Sequence, residues 1–508
     1  MSRTTLVPDH DEATRSEVIT SGPSSMSDPG SMSRRRGVYR AIGLLLLTVV
    51  LPGSAQLTFG NKGLGRWGLR VWAATLATAV ALGLSYLVMP DATYTFLLGT
   101  FTRTWFLLSV IVVLVLVAGL WTLLFVDAWR LGRPRLLGPD ARRLVGGLTA
   151  MLVVLTSGTL VLTARQVSAG RDFIGAVFGG STALGPVQGR YNVLLLGADT
   201  GKGRVGTRPD SINLVSVDAT SGRSVTFGFA RDTENINFKP GSLMKRLMPG
   251  GWNCGDDCLL NALYQWGTDH KQQFPADVKD PGLEATREAV EALSGLTVHY
   301  YVMIDLFGFK QLVNAVGGLD VYVKKRTPIG GGTGPIVGWI EPGSQHLDGL
   351  HALWYARSRE GSTDYERMAR QRCVMTAMLQ QLDPQTVIFK FQDLAAASTG
   401  VIRTDLPESE LGRFADLALK AKEQKIKSVN FVPPLIKPWS YNPALIISTV
   451  QSTIAASEKS EQESGGQPAQ KSAQKPARKL AATSLAKKSV PAGGGARESD
   501  LTSVCSAG

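Results

Sequence analysis

NVLLLGAD, residues 192–199, is a short apolar run that ends in an aspartate. Two further runs follow it, SINLVSVDA (211–219) and RSVTFGFARD (223–232), and a Thr-Ser-Gly turn joins them. Strand-length runs bounded by turn residues are typical of β-structure, and two of them around a short turn form a hairpin. These 41 residues therefore predict three strands at the start of a globular domain.

Helix and strand patterns alternate after this hairpin. LEATREAVEAL (283–293) has helical spacing, VHYYVMID (298–305) is strand-like, LFGFKQLVNAV (306–316) is helical and LDVYV (319–323) is strand-like. Alternation of the two periods indicates helices packed on a sheet. We therefore expect an α/β fold, as a three-layer α/β/α extracytoplasmic domain with a central mixed sheet, over residues 185–456.

The second half of this domain continues the pattern. TPIGGGTGPIVG (327–338) predicts a glycine-rich loop, and QHLDGLHALWYARSR (345–359) predicts a helix. Thr363 followed by Glu366 is a capping box, which begins a helix from about 364 to 382. We expect the last elements to be two helices and a strand, at 386–397, 407–421 and 426–433.

Polar segments flank the predicted domains. Residues 1–36 predict a disordered cytoplasmic tail, and residues 457–508, rich in Lys, Ala and Ser, predict a disordered C-terminal tail.

Residues 37–165 predict an all-α membrane region. Three of its apolar stretches are about as long as a bilayer core requires. The first apolar stretch, at 41–58, is interrupted by Pro-Gly after a dozen residues, which predicts a re-entrant or interfacial hairpin. The three predicted spans are about 70–89, 105–127 and 144–163.

Charges in the connecting loops predict the topology. Basic residues are concentrated before residue 41, between the first and second stretches, and between the third and fourth. Such loops favour the cytoplasmic side, so three spans would place the large domain outside the plasma membrane. The alternative of four full spans would leave that domain in the cytoplasm.

Charged side chains cluster at the predicted ends of strands and helices. Several arginines and several aspartates there have the composition of a diphosphate site, in which guanidinium groups hold phosphate oxygens and carboxylates hold Mg²⁺ or Mn²⁺. Any one of them alone is as well explained by a solvated ion pair. The set is Asp199, Arg208, Asp210, Arg231, Asp232, Arg357, Arg359, Asp364, Arg367 and Arg370.

Other functional classes find little support. The net charge of +13 is spread over the tails and membrane loops, so we expect no nucleic-acid partner. The sequence contains no Walker A, HExxH or GxSxG motif. GKGRVG (201–206) matches a dinucleotide pattern, but a strand follows it where such a site needs a helix, so we interpret it as a flexible loop.

The four cysteines predict one local disulfide. Cys254 and Cys258 bracket a Gly-Asp-Asp loop, and outside the cell a disulfide is the expected state. A metal site with His270 is the alternative, although it lacks a fourth ligand. Cys373 is expected to be a reduced, buried thiol.

The order of these motifs resembles the LytR-CpsA-Psr family. The motifs are GAD (197–199), RPD (208–210), FARD (229–232), DLFGF (305–309), GLDVYV (318–323), QHLDGLHALWYARSR (345–359) and DYERMARQR (364–372). The resemblance spans roughly residues 190–435. It implies a phosphotransferase that moves a glycopolymer from an undecaprenyl (polyprenyl) diphosphate carrier onto peptidoglycan.

The resemblance also implies residue roles. Asp199 and Asp210 would hold Mg²⁺ or Mn²⁺. The arginines expected to line the diphosphate are Arg208, Arg231, Arg357, Arg359, Arg367 and Arg370. Asp232 is expected to orient Arg231, with a general-base role toward the acceptor hydroxyl as the alternative. This sequence has Pro209 where the family commonly has serine, and Ala230 where it commonly has proline.

The lipid tail of such a donor needs an apolar slot. LFGFKQLV (306–313), CVMTAMLQQL (373–382) and TVIFKF (386–391) are candidates to supply it, although ordinary core packing explains most of their residues. Two other functions stay open: a polyprenyl-diphosphate hydrolase using the same residues, and a membrane-bound regulatory or lipid-binding protein without turnover.

Overall fold

A computed structural model of the chain describes residues 34–178, 182–198, 206–332, 334–381, 402–422, 424, 426–464, 499–500 and 505. The chain divides into two compact units. One contains residues 1–78 and 116–161, and the other contains residues 79–115 and 162–508.

The first apolar stretch forms two short helices. Helix α1 (Arg34–Val50) and helix α2 (Ser54–Phe59) are separated by a break at Leu51-Pro52-Gly53. Gly53 has φ 94°, and a Cβ there would lie 2.3 Å from the Gly65 carbonyl oxygen, so only glycine fits this turn. The break falls where the Pro-Gly pair predicts it.

Four longer helices follow: α3 (Lys62–Val88), α4 (Pro90–Phe101), α5 (Thr104–Leu131) and α6 (Pro139–Phe178). Three segments are long and apolar enough to cross a bilayer, Lys62–Val88, Thr104–Leu136 and Pro139–Phe178. They are consistent with a membrane anchor.

The second unit is built on a seven-stranded mixed sheet. Its order is β11-β10-β3-β2-β1-β4-β9, with β1 antiparallel to β2 and parallel to β4. The strands are β1 (Arg190–Ala198), β2 (Pro209–Asp218), β3 (Ser224–Phe229), β4 (Tyr300–Asp305), β9 (Ile402–Thr404), β10 (Lys427–Phe431) and β11 (Ser499–Asp500).

The register brings several strand ends to one edge of this sheet. Ala198 at the end of β1 pairs with Pro209 at the start of β2 and with Asp305 at the end of β4. Phe229 at the end of β3 pairs with Ile212. Residues that follow β1, β3 and β4 are therefore neighbours of those that begin β2.

The two faces of the sheet have different environments. Leu194 and Leu196 of β1 are buried in the main apolar core, whereas Leu195 between them faces a cavity on the opposite side, as the period of a strand requires. The core side also contains α7 (Leu243–Leu247), α8 (Ala262–Asp269), α9 (Pro281–Ser294) and α14 (Pro443–Ser464). A three-layer α/β/α arrangement results.

The other face carries α10 (Leu306–Ala315), α11 (Gly349–Arg357) and α12 (Asp364–Gln381). A second apolar core packs beside them around Leu319, Ile340 and Tyr355. Two small sheets border this core. They pair β5 (Leu319–Val323) with β8 (Gly343–Leu347), and β6 (Thr327–Gly330) with β7 (Ile336–Ile340).

Some elements differ from the sequence predictions. The glycine-rich segment 327–338 is a strand hairpin, because Gly330 at φ 98° allows the register shift at its turn. Residues 345–347 belong to strand β8, and the helix begins only after Asp348, whose side chain caps it by accepting from the His351 N–H at 2.8 Å. The predicted helix at 386–397 lies outside the described residues.

Parts of the segment predicted to be a disordered C-terminal tail have defined structure. Helix α14 continues to Ser464, β11 pairs with β10 at residues 499–500, and Cys505 is bonded to Cys373. Cys373 is therefore not the reduced thiol predicted from its sequence. The bond joins residues 132 positions apart, which no local pattern reveals.

Two further contacts define the second unit. Cys254 and Cys258 form the short disulfide, with Cα atoms 5.1 Å apart. Helix α4 packs against α13 (Glu408–Lys422), and Thr104 Oγ1 donates to Glu408 Oε1 at 3.2 Å. The connection between the first two long apolar helices thus contacts the α/β domain.

Candidate active site

Charged side chains from four segments of the chain meet at the sheet edge. Asp210 comes from the start of β2, and Arg231 follows β3. Asp364 and Arg367 lie in the first turn of α12, where the capping box at Thr363 begins the helix. The segment between α11 and α12 adds Arg359.

Arg231 joins two of these segments through its guanidinium. Its Nη1 donates to Asp210 Oδ1 at 2.7 Å, and its Nε donates to Asp364 Oδ2 at 3.1 Å. Burial disfavours the charged form of Arg231, but the negative charges of Asp210 and, after it, Asp364 outweigh this effect. The pKa of Arg231 is therefore raised. The arginine is therefore permanently charged and fixed in orientation.

Asp364 is the carboxylate at the centre of the cluster. Besides Arg231 it contacts Arg359, whose Nε lies 3.1 Å from Oδ1, and Arg367, whose Nη1 lies 3.6 Å from the same oxygen. Burial would raise the pKa of Asp364, but Arg367, Arg231 and Arg359 together hold it below its usual range. The sequence pattern predicts Asp364 on the same side of the helix as the arginines but assigns it no role. Its i, i+3 spacing from Arg367 is the feature that predicts the contact between these two residues.

Arg367 is the most deeply buried of the arginines, with 2% of its side chain exposed. Its Nε has no hydrogen-bond partner within the described part of the chain. Burial lowers the pKa of Arg367 to about 10, with Asp364 opposing that shift. A buried guanidinium with an unused donor is costly unless an anion completes its coordination.

A cavity of about 290 Å³ opens beside these residues. Asp210, Arg357 and Arg367 line its polar part. The rest is mostly apolar, with side chains from β1, β4, α10, α11 and α12. Its apolar lining includes Leu195, Val302, Ile304, Leu306, Phe309, Leu312, Leu353, Val374, Met375, Met378 and Ile402.

Two of the three segments expected to form a lipid slot contribute to this lining. The first supplies Phe309 and Leu312 among others, and the second supplies Val374 and Met378. The third, 386–391, lies outside the described residues. One end of the cavity is thus cationic and the remainder is suited to a hydrocarbon chain.

Arg357 and Arg359 occupy different positions in the site. Arg357 lines the cavity and stacks over Trp354, with 5.1 Å between its guanidinium carbon and the ring centroid. Arg359 is more exposed and pairs with Asp364 and, at 3.7 Å, with Asp210. Arg357 and Asp210 line the same cavity, and Arg359 reaches that carboxylate by its ion pair.

Arg370 differs from the prediction that it lines the diphosphate. Its Nε donates to the Tyr355 carbonyl at 2.8 Å, and its Nη2 donates to the Ser358 carbonyl and, at 3.2 Å, to Ser362 Oγ. These bonds turn the guanidinium away from the first cavity. We therefore interpret Arg370 as the residue that fastens the segment carrying Arg359.

Three other predicted site residues remain to be located, Arg208, Asp199 and Asp232. Arg208 is exposed and forms no ion pair with any carboxylate that the structure describes. Asp199 lies outside the described residues. Asp232 is half-buried and, among the described contacts, forms none with Arg231, whose orientation comes from Asp210 and Asp364 instead. The expected orienting role of Asp232 is therefore filled by other carboxylates.

The sequence motifs also left one lining residue unassigned. Asp305 ends β4, caps α10 by accepting from the Gly308 N–H at 2.7 Å, and lines the cavity. Its place in DLFGF, directly after a predicted strand, is the signal that marks it.

The described residues contain no group of three or more His, Cys, Asp or Glu side chains arranged to hold a metal. Asp210 has one oxygen engaged by Arg231 and Arg359, and its Oδ2 makes no hydrogen bond to another described residue. A single carboxylate oxygen of this kind suits a hard cation only with a further donor.

The family model for LytR_cpsA_psr matches residues 164–453, more than half of the chain. The chain therefore belongs to the LytR-CpsA-Psr family, and its α/β fold carries the site just described.

The chain is also similar to individual family members. It is 28% identical over 250 residues to "Polyisoprenyl-teichoic acid--peptidoglycan teichoic acid transferase TagU" of Enterococcus faecalis, covering 48% of this chain and 71% of that protein. It is 25% identical over 298 residues to "Cell wall biosynthesis protein LcpA" of Corynebacterium glutamicum, covering 53% of this chain and 54% of that one. This chain thus spans about half the length of the second relative.

A solved structure, that of Bacillus subtilis TagV, is similar with 22% identity and a TM-score of 0.39, covering 54% of this chain and 98% of that one. The names of TagU and its homologues describe transferases that attach teichoic acid to peptidoglycan.

Proposed function

We propose that this protein is a membrane-anchored phosphotransferase that moves a glycopolymer from a polyprenyl diphosphate carrier onto peptidoglycan. The observation that carries the proposal is the junction of a buried, incompletely coordinated Arg367 with an apolar cavity of about 290 Å³. A lipid diphosphate has both matching parts, an anionic head and a hydrocarbon tail. The names of the teichoic acid transferases among the relatives support the same reaction class.

In the proposed reaction a sugar hydroxyl of the acceptor attacks the phosphorus bonded to the glycopolymer. A new P–O bond forms, the P–O bond of the diphosphate bridge breaks, and polyprenyl monophosphate leaves with the electron pair. The hydroxyl proton passes to a nearby base and then to solvent. No external energy source is needed, because the donor anhydride is already activated.

The arginines act by positioning and charge compensation. Arg367 and Arg357 line the cavity where the diphosphate would lie, and Arg231 and Arg359 pair with Asp210, which lines the same cavity. Fixed cations in a water-poor site stabilise the charge that develops on the transferred phosphoryl group and on the leaving oxygen. Asp232, with no contact to Arg231 among the described residues, is our candidate for the base.

We also propose that Asp210, with Asp199, holds Mg²⁺ or Mn²⁺. Ala198, which precedes Asp199, pairs with Pro209, which precedes Asp210, so the chain positions favour a shared site. A bound divalent cation would neutralise phosphate oxygens. Asp210→Asn is expected to shift the metal concentration for half-maximal activity upward, and direct titration of Mn²⁺ by electron paramagnetic resonance provides a readout independent of turnover.

A membrane anchor would keep the enzyme beside its lipid donor. Loop charges favour a domain outside the plasma membrane. The contact between α4 and α13 requires the 89–103 connection and the domain to share one side of the membrane, whichever side that is. An anchored domain meets a membrane-confined substrate at high effective concentration.

Product analysis tests the proposal. Full-length protein in detergent would be incubated with a lipid-diphosphate sugar, peptidoglycan fragments and Mg²⁺, and the products separated by mass. We expect a phosphodiester-linked sugar–peptidoglycan product and polyprenyl monophosphate, and loss of both in Arg367→Met. Free sugar phosphate and polyprenyl monophosphate, without a phosphodiester-linked product, would indicate a hydrolase, and donor binding without any product would indicate a regulatory or lipid-binding protein.

A further inference from the structure

A second cavity, of about 270 Å³, adjoins the segment that carries the site arginines. Consecutive residues of this segment face different cavities: Arg357 lines the first, and Ser358 lines the second. Glu360 and Ser362 continue the lining of the second cavity. A ligand in the second cavity would therefore contact the same short segment that carries Arg357 and Arg359.

Ser358 gives the first sign that this cavity takes a ligand. The residue is 3% exposed, and its Oγ has no hydrogen-bond partner among the residues that the structure describes. A buried hydroxyl without a partner costs roughly 1–3 kcal/mol. A hydroxyl-bearing ligand in the cavity would supply the missing partner.

Cations from the connection between β5 and β6 give the second sign. Lys324, Lys325 and Arg326 are consecutive, exposed and line the cavity. Lys325 pairs with Glu366 at 2.7 Å and Arg326 pairs with Glu341 at 2.8 Å. Across the described ranges Lys324 forms no such pair, so its ammonium is available to an anionic group of a ligand.

The rim carries an exposed aromatic ring. Trp339 of β7 is 42% exposed, and Arg326 lies over it with 4.3 Å from the guanidinium carbon to the ring centroid. Val337 on the same hairpin is 73% exposed. Exposed apolar side chains grouped beside a polar cavity are typical of binding surfaces, and a flat ring can pack against the C–H face of a sugar.

We propose that this second cavity binds the acceptor, a glycan that bears carboxylates, as a peptidoglycan strand with its peptide stems does. This inference rests on the proposed function and adds to it the place where the acceptor binds. Ser358 Oγ would hydrogen-bond a sugar hydroxyl, Lys324 would pair with a stem carboxylate, and Trp339 would support a sugar ring. The bound strand would present its hydroxyl to the phosphate at Arg357 and Arg359.

The test is the acceptor dependence of transfer by the full-length protein in detergent, at saturating lipid-diphosphate donor. The acceptors are a peptidoglycan disaccharide with its peptide stem and the same disaccharide with the stem removed and the lactyl carboxylate amidated. Lys324→Glu is compared with Lys271→Glu, an exposed lysine of another surface segment. Ser358→Ala is the second variant.

We expect Lys324→Glu to raise the KM for the stem-bearing acceptor about tenfold with kcat within about twofold, since a charge-assisted contact is lost and a repulsive one is introduced. Lys271→Glu should keep the wild-type KM. With the carboxylate-free acceptor, Lys324→Glu should match the wild type. Ser358→Ala should raise KM for both acceptors, because both carry sugar hydroxyls.

The measurements distinguish failure of the proposed function from failure of the proposed acceptor site. Absence of transfer by the wild-type protein would reject the proposed function. Wild-type transfer with an unchanged acceptor KM in both Lys324→Glu and Ser358→Ala would overturn the acceptor site and leave the proposed function standing. An equal rise in KM for both acceptors in Lys324→Glu would overturn carboxylate recognition by this lysine.

Discussion

At the scale of single residues, the site depends on how guanidinium groups share two carboxylates. Arg231 engages Asp210 and Asp364 through different nitrogens, and Arg359 contacts the same pair. A planar fork can bridge two acceptors, whereas an ammonium is a compact point charge. Geometry as well as charge therefore specifies arginine at these positions.

Replacing Arg231 by lysine tests this geometry. Arg231→Lys keeps the charge but cannot hold both Asp210 and Asp364, and a charged hydrogen bond is worth roughly 1.5–3 kcal/mol. We expect transfer to fall at least about tenfold. Steady-state rates of the purified full-length variant provide the measurement. Arg246→Lys, on an exposed helix with a single bond to the Gly241 carbonyl, is the control and should retain wild-type rates.

The sequence predicted most of the site residues but not the different contacts that each of them makes. Arg359 and Arg370 both belong to the arginine-rich stretch WYARSREGSTDYERMARQR (354–372), yet one contacts Asp364 and the other contacts backbone carbonyls. Charge and spacing are alike for the two residues. Only the path of the 358–362 segment decides which way each guanidinium points.

At the scale of elements, the segment between α11 and α12 links the two cavities. Arg370 donates to the carbonyls of Tyr355 and Ser358 and to the hydroxyl of Ser362, so one side chain holds both ends of the segment. Burial lowers the pKa of Arg370 from its ordinary value. The segment is thereby held in one conformation by a residue that does not line the first cavity.

Shortening this side chain should loosen the segment. Arg370→Gln leaves buried carbonyls without donors, at a cost of roughly 1–3 kcal/mol for each unsatisfied group. We expect faster cleavage by trypsin after Arg357 and Arg359, together with slower transfer. Unchanged cleavage in the presence of reduced transfer would instead indicate direct contact between Arg370 and substrate. Arg287→Gln on α9, which removes the ion pair with Glu284, is the control for a general loss of stability.

At the scale of the whole molecule, covalent links and membrane anchoring constrain the chain. The Cys373–Cys505 bond joins α12 to the end of the chain, and Cys505 packs on the second core. The Cys254–Cys258 bond closes a loop of only a few residues. The entropy removed from the unfolded chain grows with loop length, so the long-range bond should contribute more to stability.

Single serine variants compare the two bonds. Cys505→Ser should lower the free energy of unfolding by roughly 2–4 kcal/mol, and Cys254→Ser should lower it less. Thermal unfolding of the full-length proteins would measure the difference. Mass mapping without reductant should also find peptides linking each pair. Alkylation of all four cysteines in the native, unreduced protein would reject both bonds.

Topology is a property of the whole chain and can be measured with paired reporters. A reporter active only in the cytoplasm should be silent when fused after Gly508 and active when inserted at Gly138, within the basic connection between α5 and α6. The opposite pattern would place the α/β domain in the cytoplasm. Equal activity at both sites would contradict three spans.

The amino-acid sequence by itself determined the membrane stretches, the alternation of strands and helices and the residue types of the site, because each follows from the local periodicity or composition of the chain. Tertiary structure decided which of those residues meet. Arg231 and Asp364 are 133 residues apart, and Cys373 and Cys505 are 132 apart. A local pattern carries no information on such contacts, since they depend on the register of the sheet and on the packing of α12 against it.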